Sequence, residues 1–183
     1  MRVLIKPSRL IGEVKAPPSK SYTHRAYTLA LLSAGVSWII DPLRSSDTDA
    51  TLNACRLLGA EIYSREDHVA IHGGSLRVPE DVIDAGNSGT TLRFFTAISS
   101  IIPAKGYAVL TGDKSLRKRP MEPLLEALRR LGVRCWSSRL NGSAPIIVEC
   151  GGVDGGETRI KGDLSSQFIS ALLMSSVRTK NGV

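Results

Sequence analysis

A hydroxyl, an ammonium and a guanidinium set close to a helix start can hold an anion, and this sequence offers that combination early. Ala16-Pro-Pro-Ser-Lys-Ser-Tyr-Thr-His-Arg25 brings free backbone N–H groups, hydroxyls, Lys20 and Arg25 to the opening of one helix, an arrangement suited to phosphate. Ser21 and Arg25 stand four apart and share a helix face, so the guanidinium reaches an oxyanion held at the first turn. Lys20 adds a point charge. Taken alone, the same residues also suit plain capping, with Ser19 or Ser21 accepting from first-turn amides while Lys20 and Arg25 stay solvated.

A second turn of similar kind follows. In Asp84-Ala-Gly-Asn-Ser-Gly-Thr-Thr-Leu-Arg93, Gly89 and Arg93 repeat the spacing of Ser21 and Arg25. Gly86 and Gly89 let backbone amides approach a ligand closely. No Lys-Ser/Thr follows, so this is not a Walker loop. Gly162-Asp-Leu-Ser-Ser-Gln167 offers two hydroxyls and a carboxamide at a third such point, and three polar helix starts suggest convergence on one ligand. Gly112-Asp-Lys-Ser-Leu-Arg-Lys-Arg-Pro-Met121 adds Lys114, Arg117, Lys118 and Arg119. Charge runs are usually solvated, and the first three cations read that way. Arg119 differs, because Pro120 restricts the backbone beside it and a helix opening at Pro120 would orient it.

The elements that position these turns form a repeat. Ala54-Cys-Arg-Leu-Leu-Gly-Ala-Glu-Ile62 and Ala127-Leu-Arg-Arg-Leu-Gly-Val-Arg-Cys135 each read as a helix end, a glycine stop and a strand, with Gly59 and Gly132 just past the helix. Each is followed by an alternating hairpin that closes on a glycine pair, and the copies lie roughly 75 residues apart. The full unit reads as βαβαββ. In the first, about 12–74, a strand spans 13–16, a helix 21–33, a strand 38–41 and a helix 47–58 capped by Asp47. In the second, about 75–152, a strand from about Arg77 leads to a helix 88–100, a strand 107–111 and a helix with Pro120 at its first position. The third, about 156–183, holds a strand 156–161 and a helix 165–177, then stops short of a full repeat. An incomplete unit should leave an apolar face uncovered on that last helix; a polar face would instead mark a terminal capping unit.

Composition narrows the partner. With 183 residues, 42% hydrophobic and 22% charged, the chain is globular rather than disordered. A net charge of +7 and a pI near 9.6 point to an anionic partner. Nucleic acid is disfavoured, since its grooves interleave cations with aromatic residues and aromatics are 5% here. No apolar run is long enough to span a bilayer, and Met1–Pro7 is too short for a signal peptide, so the chain reads as soluble and cytoplasmic. Cys55, Cys135 and Cys150 form no Cys-x-x-Cys pair and read as reduced, buried residues. His68 and His72 have ligand spacing for a helix, but His-Val-Ala-Ile-His alternates like a strand.

Together, Lys20-Ser21-Tyr-Thr-His-Arg25, Gly86-Asn-Ser-Gly-Thr90 with Arg93, Arg119-Pro120 and Ser165-Ser-Gln167 resemble the EPSP synthase family, the 3-phosphoshikimate 1-carboxyvinyltransferases, across essentially the whole chain. The resemblance implies an α/β, inside-out barrel fold of two domains, each with three βαβαββ units. Residues 12–183 would be the first domain with its third unit incomplete, and about 1–11 would pair with a second domain absent from this chain.

The resemblance further implies transfer of the enolpyruvyl group of phosphoenolpyruvate to the 5-hydroxyl of shikimate 3-phosphate, in the shikimate pathway to aromatic amino acids, with no metal or organic cofactor. By motif, Lys20, Ser21, Arg25, Ser165, Ser166 and Gln167 would hold shikimate 3-phosphate. Lys20, Gly89, Arg119 and Gln167 would address phosphoenolpyruvate, with Asn87 and Arg93 in support. The substrates together carry two phosphates and two carboxylates, whose repulsion must be offset by close cations. The family's proton-transfer carboxylates would lie in the absent part, so no catalytic residue is assigned here, and this chain alone is expected to be inactive. One alternative is a non-catalytic anion-binding half-domain that needs a complementing chain. Another is the sister transferase acting on a UDP-linked amino sugar, but that enzyme starts with Lys-Asn and carries a reactive loop Cys, whereas no Cys lies in the basic loop here.

Overall fold

The computed structural model describes residues 3–9, 11–163 and 165–183. A polar cap starts the first helix, α1 (Lys20–Leu32), where Ser19 accepts from the Tyr22 N–H. Strand β1 (Gly35–Ile40), helix α2 (Ser46–Leu57) and the hairpin β2 (Glu61–Ser64) and β3 (His68–Gly73) complete the first unit. The second comprises β4 (Ile83–Asp84), α3 (Gly89–Ser100), β5 (Gly106–Thr111), α4 (Glu122–Arg130), β6 (Cys135–Ser137) and β7 (Ile146–Cys150). Helix α5 (Ser166–Ser176) follows.

The repeat is visible in strand order. One sheet runs β1-β3-β2 and the other β4-β5-β7-β6, so β1, β3 and β2 occupy the places of β5, β7 and β6. Both hairpins are antiparallel, and β4 joins β5 in parallel. Gly59 and Gly132 follow the C-cap residues Leu58 and Leu131 with φ of 111° and 84°, as the stop signals predict. His68 and His72 lie on β3, and all three cysteines are free and buried.

The interior is helical. Every residue of α3 except Arg93 is buried, and α3 packs on α1, α2, α4 and α5 as well as β5 and β7. A helix covered on all sides must satisfy its own hydroxyls. Thr96 and Ser99 therefore donate to the carbonyls of Leu92 and Phe95, both at 2.7 Å. The sheets lie outside and leave Val36, Trp38, Ile40, Tyr63 and Tyr107 exposed. This is the inside-out arrangement, although no closed barrel forms among the described residues. Helix α5 buries Phe168, Ala171, Leu172 and Met174 but exposes Ile169, Leu173 and Val177. Ile169, Leu173 and Val177 stand four apart along one uncovered apolar face.

Several expected elements differ. Residues 13–16 and 156–161 form no strand, and none of the described strands pairs with either; an extended segment becomes a strand only with a hydrogen-bonding neighbour. The second unit's first strand begins at Ile83 rather than near Arg77, whose N–H donates to Leu58 O instead. The cap of α2 is Ser45, in a reciprocal capping box with Thr48, and Asp47 sits inside the first turn where its charge suits the helix dipole. Helix α4 opens after Met121 with Pro123 in its first turn, so Pro120 lies outside it. Arg119 is extended, with φ of −77° and ψ of 138°, the conformation a following proline imposes. Residues 3–9 and 11 are exposed without secondary structure; Met1, Arg2, Leu10 and Leu164 lie outside the described residues.

Gly73 ends β3 against the C-terminus of α1, and a Cβ there would fall 2.1 Å from Ala30 O and 2.5 Å from Leu31 O. Backbone cannot yield as a flexible side chain does. Gly73→Ala should therefore cost about 1 to 3 kcal/mol, the range for overpacking. Chemical denaturation would measure this, and an unchanged midpoint would show that the two elements separate freely.

Candidate anion-binding site

Counting from the caps aligns the three helix starts. Ser19, Ser88 and Ser165 each accept a first-turn backbone N–H, from Tyr22, Thr91 and Gln167 respectively. The first helical positions are then Lys20, Gly89 and Ser166, and the second are Ser21, Thr90 and Gln167. The fifth are His24, Arg93 and Ser170. The spacing shared by Ser21–Arg25 and Gly89–Arg93 is thus offset by one position, and the counterpart of Arg93 on α1 is His24. Spacing does not locate a helix start; the capping hydrogen bond does.

These starts meet. Arg25 Nη2 donates to Ser170 Oγ at 2.9 Å, and its Nη1 donates to Ser21 O at 3.0 Å. Arg93 Nη1 donates to Gln167 Oε1 at 2.5 Å and to Ser165 Oγ at 3.4 Å. Gln167 Nε2 donates to Thr90 Oγ1 at 2.8 Å, which closes the link from α5 back to α3. Aromatic rings support both guanidiniums: Arg25 stands over Phe94 at 5.6 Å and Arg93 over Phe168 at 4.8 Å. Lys20 Nζ lies 2.8 Å from Asp47 Oδ2. Ser21 and Ser166 are exposed, and among the described residues their hydroxyls do not join this network.

The basic loop contributes one cation. Lys114, Arg117 and Lys118 are exposed, whereas Arg119 is half-buried and its Nη2 donates to Asn87 Oδ1 at 2.7 Å. Asn87 in turn donates to Asp113 Oδ2 at 2.6 Å. A Cβ on Gly89 would stand 2.9 Å from Arg119 Nη1 and 3.6 Å from Arg93 Nη1. Two guanidiniums therefore flank the first residue of α3, and glycine leaves room for them.

The charges at the site are arranged at a cost. Burial lowers the pKa of Arg93, and the nearby charge of Arg119 lowers it further; Arg93 Nε is buried without a hydrogen-bond partner in the described structure. Repulsion between close cations and an unmet donor are both relieved by an anion. The Leu116 N–H and then Asn87 hold the Asp113 carboxyl below its ordinary range, so Asp113 stays ionised and keeps Asn87 turned toward Arg119. Burial pushes the Cys135 and Cys150 thiols up to about 11 and Cys55 higher still. None of the three is a thiolate near neutral pH.

Thr90, Ser170 and His24 escaped the sequence reading, yet each occupies a position equivalent to an expected site residue once the caps are aligned. That alignment was the available signal. Among the described residues, no group of three or more His, Cys, Asp or Glu side chains could hold a metal ion, and no helix is long and apolar enough to cross a membrane. A surface groove lined by Pro123, Glu126, Arg130, Arg159, Ile160 and Lys161 includes none of the converging residues.

Comparison with known proteins bears on this geometry. The family model for EPSP synthase (3-phosphoshikimate 1-carboxyvinyltransferase) matches residues 4–183. The chain belongs to the EPSP synthase family. It is 54% identical over 174 residues to the 3-phosphoshikimate 1-carboxyvinyltransferase of Methanocaldococcus jannaschii, covering 94% of this chain and 40% of that protein. It is 55% identical over 177 residues to the enzyme of the same name from Methanothermobacter thermautotrophicus, covering 96% and 41%. The EPSP synthase structure from Acinetobacter baumannii superposes with a TM-score of 0.83 at 30% identity, over 92% of this chain and 38% of that one. The chain thus spans about 40% of the length of the EPSP synthases it matches.

Burial at 1% exposure pushes the His24 imidazole down to about 4, against the opposing pull of Asp47. The unfolded chain protonates this residue near pH 6.5 and the folded chain does not, so the unfolded state binds more protons between pH 4 and 6.5. Stability contributed here is complete above pH 6.5 and is lost as pH falls toward 4, by about 3 kcal/mol. Denaturation of the wild type and His24→Asn at pH 4.5 and 7.5 should show a smaller acid loss in the variant. Equal losses would mean that His24 does not titrate as a buried neutral ring.

Proposed function

We propose that these residues supply one wall of the substrate site of a 3-phosphoshikimate 1-carboxyvinyltransferase, the part that binds shikimate 3-phosphate and phosphoenolpyruvate. The observation that carries this reading is the meeting of three helix starts from three units, through Arg25–Ser170, Arg93–Gln167 and Gln167–Thr90. Lys20, Ser21, Arg25, Ser165, Ser166 and Gln167 bind shikimate 3-phosphate. Lys20, Gly89, Arg119 and Gln167 bind phosphoenolpyruvate, with Asn87 and Arg93 holding Arg119 and Gln167 in place. Family membership supports the reaction: the enolpyruvyl group passes to the 5-hydroxyl of shikimate 3-phosphate, and phosphate leaves.

The physics favours this division of labour. Backbone amides at the starts of α1, α3 and α5 and the side chains of Lys20, Arg25, Arg93 and Arg119 stabilise negative charge that the substrates cannot hold side by side in water. Asp47, Asp84 and Asp113 accept hydrogen bonds within the chain from Lys20, from the Gly86 N–H and from Asn87, and their part is to hold these neighbours in place rather than to move the reaction's protons. The carboxylates for that step come from the portion of the relatives' length that these residues do not span. These 183 residues therefore bind without turning over, and segment 1–11 pairs with the second domain that completes the site. Three unpaired buried cysteines fit a reducing, cytoplasmic setting.

Calorimetry with shikimate 3-phosphate should show weak binding, on the order of millimolar, because half of the enclosing contacts are absent. Arg25→Ala should lose about 1.5 to 3 kcal/mol of that affinity, the range for a hydrogen bond to a charged group. Unchanged affinity would remove Arg25 from the site. A phosphate-release assay with both substrates should register no turnover by these residues alone, and measurable turnover would refute the division between binding and proton transfer.

A further inference from the structure

One buried group near the site has no part in the binding scheme. His24 is 1% exposed at the fifth position of α1, the place Arg93 holds on α3. Its Nδ1 lies 2.6 Å from Thr51 Oγ1 on α2, and Thr51 Oγ1 lies 2.7 Å from Thr91 Oγ1 on α3. Thr91 Oγ1 lies 2.7 Å from Ser88 Oγ, the oxygen that caps α3 by accepting the Thr91 N–H. Thr51 and Thr91 are fully buried and Ser88 is 1% exposed. An unbroken chain of one imidazole and three hydroxyls thus runs through the buried interior, from α1 across α2 to the residue before Gly89.

Such a chain has a direction, because each hydroxyl owns one proton. His24 Nε2 is buried without a partner in the described structure, whichever way the protons point. If Nδ1 carried the ring proton, Thr51 and Thr91 would donate onward, and the buried Ser88 O–H would keep an acceptor only if Thr91 turned to Asp47 O, 3.5 Å away and beyond the ordinary O–H···O range. If Nδ1 is bare, Ser88 donates to Thr91, Thr91 to Thr51 and Thr51 to Nδ1. Only Nε2–H is then unmet. A buried polar group left unmet is destabilising, so the arrangement with one such group and every other contact near 2.7 Å prevails over that with two.

We propose that His24, as the neutral Nε2–H tautomer, is a positioning residue that draws this hydroxyl chain toward itself and thereby sets the Ser88 cap from which α3 presents the Gly89 and Thr90 amides to an anion. The final clause rests on the anion-site reading above. The link between ring and cap does not. The charges acting on the ring are Asp47 from α2 and Lys20 and Arg25 from its own helix. Asp47 opposes the desolvation that keeps the ring neutral, while the two cations reinforce it.

Ligand-free, nitrogen-15-labelled wild-type chain tests the link without any variant. The ring spectrum near pH 7 should report a bare Nδ1 and a protonated Nε2, and on acidification the Ser88, Gly89 and Thr91 amide signals should move with the midpoint of the His24 ring. A protonated Nδ1, or amides that ignore the ring, would overturn the proposal. Inorganic phosphate, titrated at pH 7.5, then tests the consequence. His24→Phe should bind it about three- to tenfold more weakly, within the effect of a hydrogen bond to a charged group. His24→Asn, whose Oδ1 can accept from Thr51, should recover most of that loss. Equal affinity in Phe and Asn variants of matched stability would reduce His24 to packing and sink the proposal. Phosphate that leaves the Gly89 amide unmoved in the wild type would sink the anion-site reading instead, with the ring-to-cap link still decided by the first measurement.

Discussion

Cations gathered in a partly dry place must be held there against their own repulsion, and most of this architecture follows from that requirement. Arg93 and Arg119 both approach Gly89, and Arg93 has an unmet Nε and a pKa lowered by burial and by its neighbour. Water would relieve both stresses, so the fold has to supply substitutes. Phe168 offers a ring face to Arg93, Gln167 offers an amide oxygen, and Asn87, oriented by Asp113, holds Arg119. These substitutes come from two separate turns, the start of α5 and the loop before α3. The helices that carry those turns must therefore start in one place, which is why α3 is sheathed by α1, α2, α4 and α5 with the sheets pushed outward.

Under the proposed function, this preorganisation is what lets two anionic substrates come together. A carboxylate beside a phosphate is unfavourable in any medium, and closely set donors that need no rearrangement lower that penalty as the ligands arrive. Gln167 shows how finely the donors are specified. Arg93 can only donate, so the amide oxygen of Gln167 must face it and the amide nitrogen must face Thr90. One N–H of that nitrogen remains beyond its bond to Thr90. The orientation of a neutral side chain is thus decided by a charged one that cannot accept.

Much of this was readable before any fold was known, and for identifiable reasons. The glycine stops at Gly59 and Gly132, the alternating hairpins and the polar helix starts are local signals, and their repetition revealed the unit. Strands 13–16 and 156–161 were misread because alternation reports which face of a segment is apolar, not whether a neighbour exists to receive its hydrogen bonds. The start of α4 was misplaced because two prolines, Pro120 and Pro123, both suit a first turn, and the choice fell to Met121, which is buried and donates to Gly142 O.

What the sequence by itself determined was the inventory: the polar helix starts, the cations Lys20, Arg25 and Arg119, the glycine at 89, and the family to which their order belongs. Charges and polar, glycine-rich turns are encoded within a few residues, so a linear reading recovers them, although the first residue of a helix depends on which side chain makes the cap. Only the tertiary structure decided which of these groups meet. Arg25 finds Ser170 across 145 positions and Arg93 finds Gln167 across 74, and His24 proves to be joined to the cap of α3 through two threonines that carry no motif. Such pairings depend on how helices cross, and helix crossing is set by the packing of whole faces rather than by any short run of residues.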